Sequence, residues 1–119
     1  MDFENEKPIF MQIAEEIEDA ILTGGFPEES RIPSITEFSV NYKINPATAL
    51  KGINMLVESG IVYKKRGVGM FVANGAKEKL TQKRKEAFFE NYVKTMITEA
   101  ARLGIKKEDI IEMLREEEK

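Results

Sequence analysis

Apolar residues recur at helical spacing near the start of the chain. Ile9, Ile13, Ile17, Ala20 and Ile21 fall on one side, with Glu15, Glu16, Glu18 and Asp19 opposite them. The pattern predicts an amphipathic helix that opens at Pro8 and ends at Gly24-Gly25. After the loop Phe26-Pro27-Glu28-Glu29-Ser30, Arg31-Ile32-Pro33 should hold the chain extended. Ser34-Ile35-Thr36-Glu37 then reads as a capping box, in which the Ser34 hydroxyl takes the third amide of a new helix and Glu37 reaches back. Ile35, Phe38 and Val40 of that helix are expected to face a core. A third helix begins at Asn45-Pro46, since Pro favours an extended residue before it and fits the first helical position itself. It should run to about Glu58 and stop at Ser59-Gly60. Leu50, Ile53, Met55, Leu56 and Val57 are assigned to its buried side, and Ala47, Thr48, Lys51 and Asn54 to its exposed side.

The helical period then gives way to two strand-like runs, Ile61-Val62-Tyr63-Lys64-Lys65 and Met70-Phe71-Val72-Ala73, joined by Arg66-Gly67-Val68-Gly69. The glycines permit the positive φ of a tight reversal. A Gly-x-Gly between two strands is a weak phosphate-loop signal and argues against a nucleotide site. Past Asn74-Gly75 a polar stretch, Lys77 to Lys85, leads into one long helix to Leu103. Phe88, Phe89, Tyr92, Val93, Met96, Ile97, Ala100, Ala101 and Leu103 form a stripe on it wider than a single core contact needs. Gly104 ends that helix, and Ile110, Ile111, Met113 and Leu114 lie on a short final one. Two helices cannot enclose a core alone, so the stripe is expected to pack against a second chain, with Phe88, Phe89, Tyr92, Met96, Ile110 and Leu114 in a homodimer interface. Folding back onto the rest of one chain is the alternative.

The expected fold is therefore mainly α with a small β-hairpin. A winged helix-turn-helix domain occupies residues 1–75, and a helical dimerisation region residues 76–119. Two short helices followed at once by a hairpin with the tip Lys64-Lys65-Arg66-Gly67 make sequence-directed binding of double-stranded DNA the leading function. Protection of an exposed edge strand is the alternative role for Lys64, Lys65 and Arg66.

Charge sharpens this picture. The net charge of −3 over 119 residues argues against nucleic acid, but residues 1–30 hold one Lys and nine acids, whereas residues 31–76 hold six basic and two acidic side chains. Phosphate binding depends on the local face, because charges beyond the Debye length of about 8 Å are screened. The acidic first helix should point away from DNA. With 42% apolar and 33% charged residues and no apolar run near the roughly 20 residues that span a bilayer, a soluble cytoplasmic protein without membrane contact is expected. The acidic start of the chain is unlike a signal peptide. The sequence has no Cys and no His, which excludes disulfides and removes the commonest metal ligand and general base. No metal, cofactor or catalytic residue is assigned, since the acidic pairs Glu15-Glu16 and Glu116-Glu117 point in different directions on a helix.

Four motifs in order and spacing, Ile21-Leu22-Thr23-Gly24, Arg31-Ile32-Pro33-Ser34, Asn45-Pro46-Ala47-Thr48 and Arg66-Gly67-Val68-Gly69-Met70-Phe71-Val72, resemble the DNA-binding domain of the GntR family of bacterial transcription regulators. The Asn-Pro-x-Thr start and the short tail are similar to its small YtrA-type subfamily. The resemblance implies that Arg31 and Ser34 hold the DNA backbone, that Asn45, Ala47, Thr48 and Lys51 face bases and phosphates, and that Gly67 approaches the minor groove. Lys65, Arg66 and Gly69 complete the wing. Thr36, which is also assigned to the DNA-binding residues, and Leu50 stand where family members often carry Arg, so fewer guanine-reading groups are present. These features point to a homodimeric regulator, a repressor in preference to an activator, on a palindromic operator. They admit a small-molecule effector without naming one. A winged helix used only for protein interaction is the second reading, and the basic wing argues against it.

Overall fold

The computed structural model describes residues 6–118; the acidic start of the chain, residues 1–5, and residue 119 lie outside the described part. In chain order the elements are α1 (Ile9–Leu22), α2 (Ile35–Tyr42), α3 (Pro46–Glu58), β1 (Val62–Lys65), β2 (Gly69–Val72), α4 (Ala76–Phe88), a π-helical turn (Phe89–Val93), α5 (Lys94–Arg102) and α6 (Lys107–Glu117). The chain divides into two units, the first running to Gln82 and the second starting at Lys83.

In the first unit, Ile13, Ile17 and Ile21 of α1 meet Ile53 and Leu56 of α3 in a core closed by Ile32, Phe38, Ile61, Val62 and Val72. Gly52 sets how closely α1 and α3 pack: a Cβ there would lie 2.6 Å from the Phe10 carbonyl oxygen and 3.2 Å from two side-chain atoms of Ile13. The Tyr42 hydroxyl at the end of α2 hydrogen-bonds to Glu16 of α1, and this bond raises its pKa.

β1 and β2 pair antiparallel with Val62 opposite Val72 and Lys65 opposite Gly69. The extended segment before α2 lies along the other edge of β2: Ile32 N–H donates to Met70 O at 2.9 Å, Val72 N–H to Ser30 O at 2.9 Å and Glu29 N–H to Val72 O at 2.8 Å. The hairpin is thereby fixed to the helical body through the backbone.

Several expectations need correction. Glu18 is buried, as Ala14 is, because α1 is covered on more of its circumference than a single stripe. Val40 faces solvent, and Ser39 is buried in its place with its hydroxyl donating to Thr36 O at 2.9 Å. On α3 the inner side is Ala49, Gly52, Ile53 and Leu56, while Leu50 and Met55 are exposed. Small residues face inward there because α1 lies so near. The expected long tail helix is helical throughout but interrupted by the π turn at Phe89–Val93, which shifts the phase of the residues that follow.

The first core also takes in Ala76 and Leu80 of α4, beyond the Gly75 boundary read from the sequence. The start of α4 is clamped by Glu28, whose carboxylate accepts the N–H of Gly75 at 2.6 Å and of Lys77 at 3.4 Å. An acid at a helix N-terminus satisfies amides that lack an intrahelical partner and complements the helix dipole. In the second unit, Asp109 caps α6 by accepting the Lys106 N–H at 2.9 Å, and Ile105 N–H donates to Ala100 O at 2.9 Å where α5 ends. Phe88, Tyr92, Met96, Ile97 and Leu114 remain exposed.

Leu80→Ala should lower the unfolding free energy by about 2–5 kcal/mol, as for other buried leucines, measured by urea denaturation. Gly52→Ala should destabilise by about 1–3 kcal/mol through overpacking, although alanine is the better helix former by about 1 kcal/mol. A gain in melting temperature for Gly52→Ala would show that α1 and α3 can separate freely.

Candidate nucleic-acid interface

The capping box forms as the sequence predicts. Ser34 Oγ accepts the Glu37 N–H at 3.1 Å and Glu37 Oε1 accepts the Ser34 N–H at 3.2 Å. The backbone and hydroxyl bonds from Ser34 hold the Glu37 carboxyl below the usual carboxylate range, with Arg31 adding a smaller attraction. Since the ionised form is favoured in the folded state, this contribution is present above the ordinary carboxylate pKa and is lost as pH falls through the lowered one. α2 ends on Lys43 in the left-handed conformation, φ 53°. Two residues later Asn45 Oδ1 accepts the Ala47 N–H at 2.8 Å and Pro46 occupies the first turn of α3.

From that start, the outward side of α3 presents Ala47, Leu50, Lys51, Asn54, Met55 and Glu58 along one shallow groove. The spacing of three and four residues places them on one face, opposite buried Ala49, Ile53 and Leu56. Lys51 is not extended into solvent at random: its Nζ lies 4.1 Å from the centroid of the Phe10 ring on α1, a cation–π distance.

The wing carries its own scaffold. Tyr63, Phe71 and Arg31 sit in a row across three paired segments. The Tyr63 and Phe71 rings stack at 5.9 Å, and Lys65 Nζ lies 4.7 Å from the Phe71 centroid. The Tyr63 hydroxyl donates to Glu29 Oε2 at 2.7 Å, and this bond pushes its pKa up. At the tip Val68 N–H closes the turn on Lys65 O at 2.9 Å. Gly67 and Gly69 have φ of 76° and 144°, and a Cβ on Gly69 would lie 2.8 Å from Arg31 Nε. The glycine at 69 thus makes room for the arginine that lies along the wing.

Of the residues assigned to DNA from the sequence, Arg31, Thr36, Ala47, Lys51, Lys65, Arg66 and Gly67 are exposed. Ser34, Thr48 and Gly69 are half-buried, and the oxygens of Ser34 and Asn45 serve as helix caps. Ala47 and Lys51 share the α3 stripe, whereas Arg31, Lys65 and Gly69 cluster at the wing. Leu50, assigned to the core by its hydrophobicity, belongs to the stripe. Its displacement could have been inferred from Gly52, because two small residues at 49 and 52 mark the side of closest packing. Of the residues assigned to a dimer interface, Phe88, Phe89, Tyr92, Met96 and Leu114 are exposed and Ile110 is half-buried. Among the described residues no helix is long and apolar enough to cross a membrane.

Comparison with known proteins agrees with this geometry. The sequence profile of bacterial regulatory proteins of the gntR family matches residues 10–72. The HTH-type transcriptional repressor YtrA of Bacillus subtilis is 27% identical over 98% of this chain and 88% of its own length. A crystal structure of a GntR-family regulator from Bacteroides thetaiotaomicron superposes with a TM-score of 0.79 at 38% identity, covering 92% of this chain and 95% of that one. The AraR DNA-binding domain, solved in complex with operator ORR3, matches with a TM-score of 0.56 and 32% identity over 61% of this chain and 88% of its own. With its winged helix-turn-helix and a family match over more than half its length, the chain belongs to the GntR family of bacterial regulatory proteins.

Proposed function

We propose that this protein binds a palindromic operator as a homodimer and represses the promoter that it occupies. One observation carries the reading: α3 turns a continuous stripe of mixed side chains, Ala47, Leu50, Lys51, Asn54, Met55 and Glu58, outward, and the hairpin that follows it presents Lys64, Lys65 and Arg66 at its tip. In this reading each subunit lays α3 in a major groove and the wing along the neighbouring backbone or minor groove, with half-sites about one helical turn or a multiple of it apart. Lys65, Arg66 and Arg31 hold phosphates, the amides at the capped helix starts lie near the backbone, and Ala47, Thr48 and Lys51 face the groove. The whole-length similarity to a repressor, YtrA, supports repression over activation.

The partner is a second copy of the chain. Phe88, Phe89, Tyr92 and Met96 present a run of exposed apolar surface of a kind that monomeric proteins seldom leave in water. Joining two heads makes the second DNA contact intramolecular and can raise overall affinity 100-fold or more, by the usual order of magnitude for linked sites. An effector would act by changing the spacing of the two heads. Such a regulator works in the cytoplasm, and a regulatory role requires no catalysis.

Replacing Lys65 and Arg66 together by Ala should weaken binding to all DNA sequences and lower the slope of log affinity against log salt by up to about two units, since each phosphate contact releases roughly 0.9 counterion. An unchanged slope in a filter-binding titration would remove the wing from the interface. Phe89→Asp and Met96→Asp should each yield monomers at micromolar concentration by sedimentation, because an unpaired carboxylate in an apolar interface costs several kcal/mol. Operator affinity should fall with dimerisation, by about 100-fold or more. Retained dimers would place the interface elsewhere.

A further inference from the structure

The outward stripe of α3 divides by chemistry. Lys51 is its cation, and the ammonium is held over the Phe10 ring at 4.1 Å, on the flank where α3 packs against α1. Two further basic groups of the head are engaged at the wing, Arg31 against Gly69 and Lys65 over Phe71. The centre of the stripe, between Ala47 and Asn54, is therefore occupied by Leu50, which is 39% exposed although it is a large aliphatic residue. Nothing in the core requires a leucine there, since the inner side of α3 is already filled by Ala49, Ile53 and Leu56.

The edges of the base pairs in a major groove are mostly polar. Guanine offers two acceptors that call for a cation, adenine an acceptor and a donor that suit an amide, and thymine a C5-methyl group that suits an apolar side chain. A neutral, branched aliphatic side chain can match only the last of these. Asn54 lies one turn further along the same face, where an amide suits adenine. From this arrangement we infer that Leu50 is a specificity-determining residue that reads the C5-methyl of a thymine at the centre of each half-site. The inference rests on the reading that α3 enters a major groove, and adds which base chemistry it selects there.

The test uses the full-length protein. Bound sequences are selected from a random DNA pool, and each thymine of the enriched half-site is then replaced in turn by uracil, which lacks only the methyl group. One such replacement should weaken binding by about fourfold, the worth of one buried methyl or methylene. Leu50→Ala should bind the thymine operator more weakly by at least that factor and become indifferent to the same replacement, whereas Leu50→Met should keep the sensitivity. Because Leu50 lies outside the buried core, both variants should stay folded, with at most a small drop in melting temperature for Leu50→Ala. A fresh selection with Leu50→Arg should enrich guanine at that position in place of thymine. Enrichment of a half-site with no uracil-sensitive thymine would overturn the inference while leaving operator binding intact. An equal uracil penalty in wild type and Leu50→Ala would also overturn it, by assigning the methyl contact to another residue. A pool from which nothing is enriched would overturn the reading of α3 as a DNA-reading helix, and this inference with it.

Discussion

At Gly52 the backbone of α3 comes so close to α1 that a side chain of a single carbon would lie 2.6 Å from the Phe10 carbonyl oxygen. Much of the geometry of the head depends on this contact. It brings Ile13 and Ile17 into one buried cluster with Ile53 and Leu56, and close-packed interiors transmit even small displacements. It also decides which side of α3 faces out. With 49 and 52 directed inward, residues 47, 50, 51 and 54 have no alternative to the outer face, and Lys51, next to Gly52 in the chain, is brought over the Phe10 ring. The same approach of two helices thus builds the core and decides which residues of α3 form its outer stripe.

A second constraint comes from the loop before α2. Glu28 and Glu29 belong to the acidic first quarter of the chain, which suggests a solvated surface, yet both act as connectors. Glu28 takes the amides at the start of α4. Glu29, in the left-handed region at φ 68°, donates its N–H to β2 and accepts the Tyr63 hydroxyl from β1. A non-glycine residue in this region is uncommon, and here two partners on the hairpin hold it. Wing and α4 are therefore both referred to a loop of a few residues, which gives the wing a fixed place on the head even though its own two strands are only four residues each. An isolated hairpin of that size would be marginal in water.

Where the local chemistry is decisive, the sequence is legible. Ser34 with Glu37, Asn45 with Pro46, and the glycines of the wing turn each specify their conformation within a few residues, and the helix starts and the hairpin register follow. What depends on tertiary packing is harder to read. Hydrophobicity alone sends Leu50, Met55 and Val40 inward and Glu18 outward. The structure does the reverse in all four cases: the close approach of α1 at Gly52 turns Ala49 and Gly52 inward and leaves Leu50 and Met55 outside, Ser39 takes the buried place beside Val40, and α1 is covered widely enough to enclose Glu18. The π turn at Phe89–Val93 leaves no such local mark, since its residues, Phe-Glu-Asn-Tyr-Val, read as ordinary helix. Nor do residues 77–85, almost all charged or polar, announce that Leu80 in their midst is wholly buried.

The division of labour on the head also explains how a chain of net charge −3 can suit an anionic polymer. Affinity for DNA arises largely from cations near phosphates, and contacts to phosphates position a protein without reading sequence. Arg31, Lys64, Lys65 and Arg66 are grouped at the wing, and Lys51 is drawn to the flank of α3 by an aromatic ring. Screening over about 8 Å makes the acids of α1 a weak opponent of these groups. With charge gathered at the edges, the middle of α3 is left to Ala47, Leu50 and Asn54, groups that in the proposed mode of binding would be too weak to hold DNA alone but able to distinguish one base edge from another. In that mode, strong, unselective contacts around a weak, selective centre would make recognition depend on correct seating. On that proposal a wrong base at the centre would cost little in phosphate contact and register mainly as lost apolar and amide contacts, and two such heads acting together would discriminate better than one.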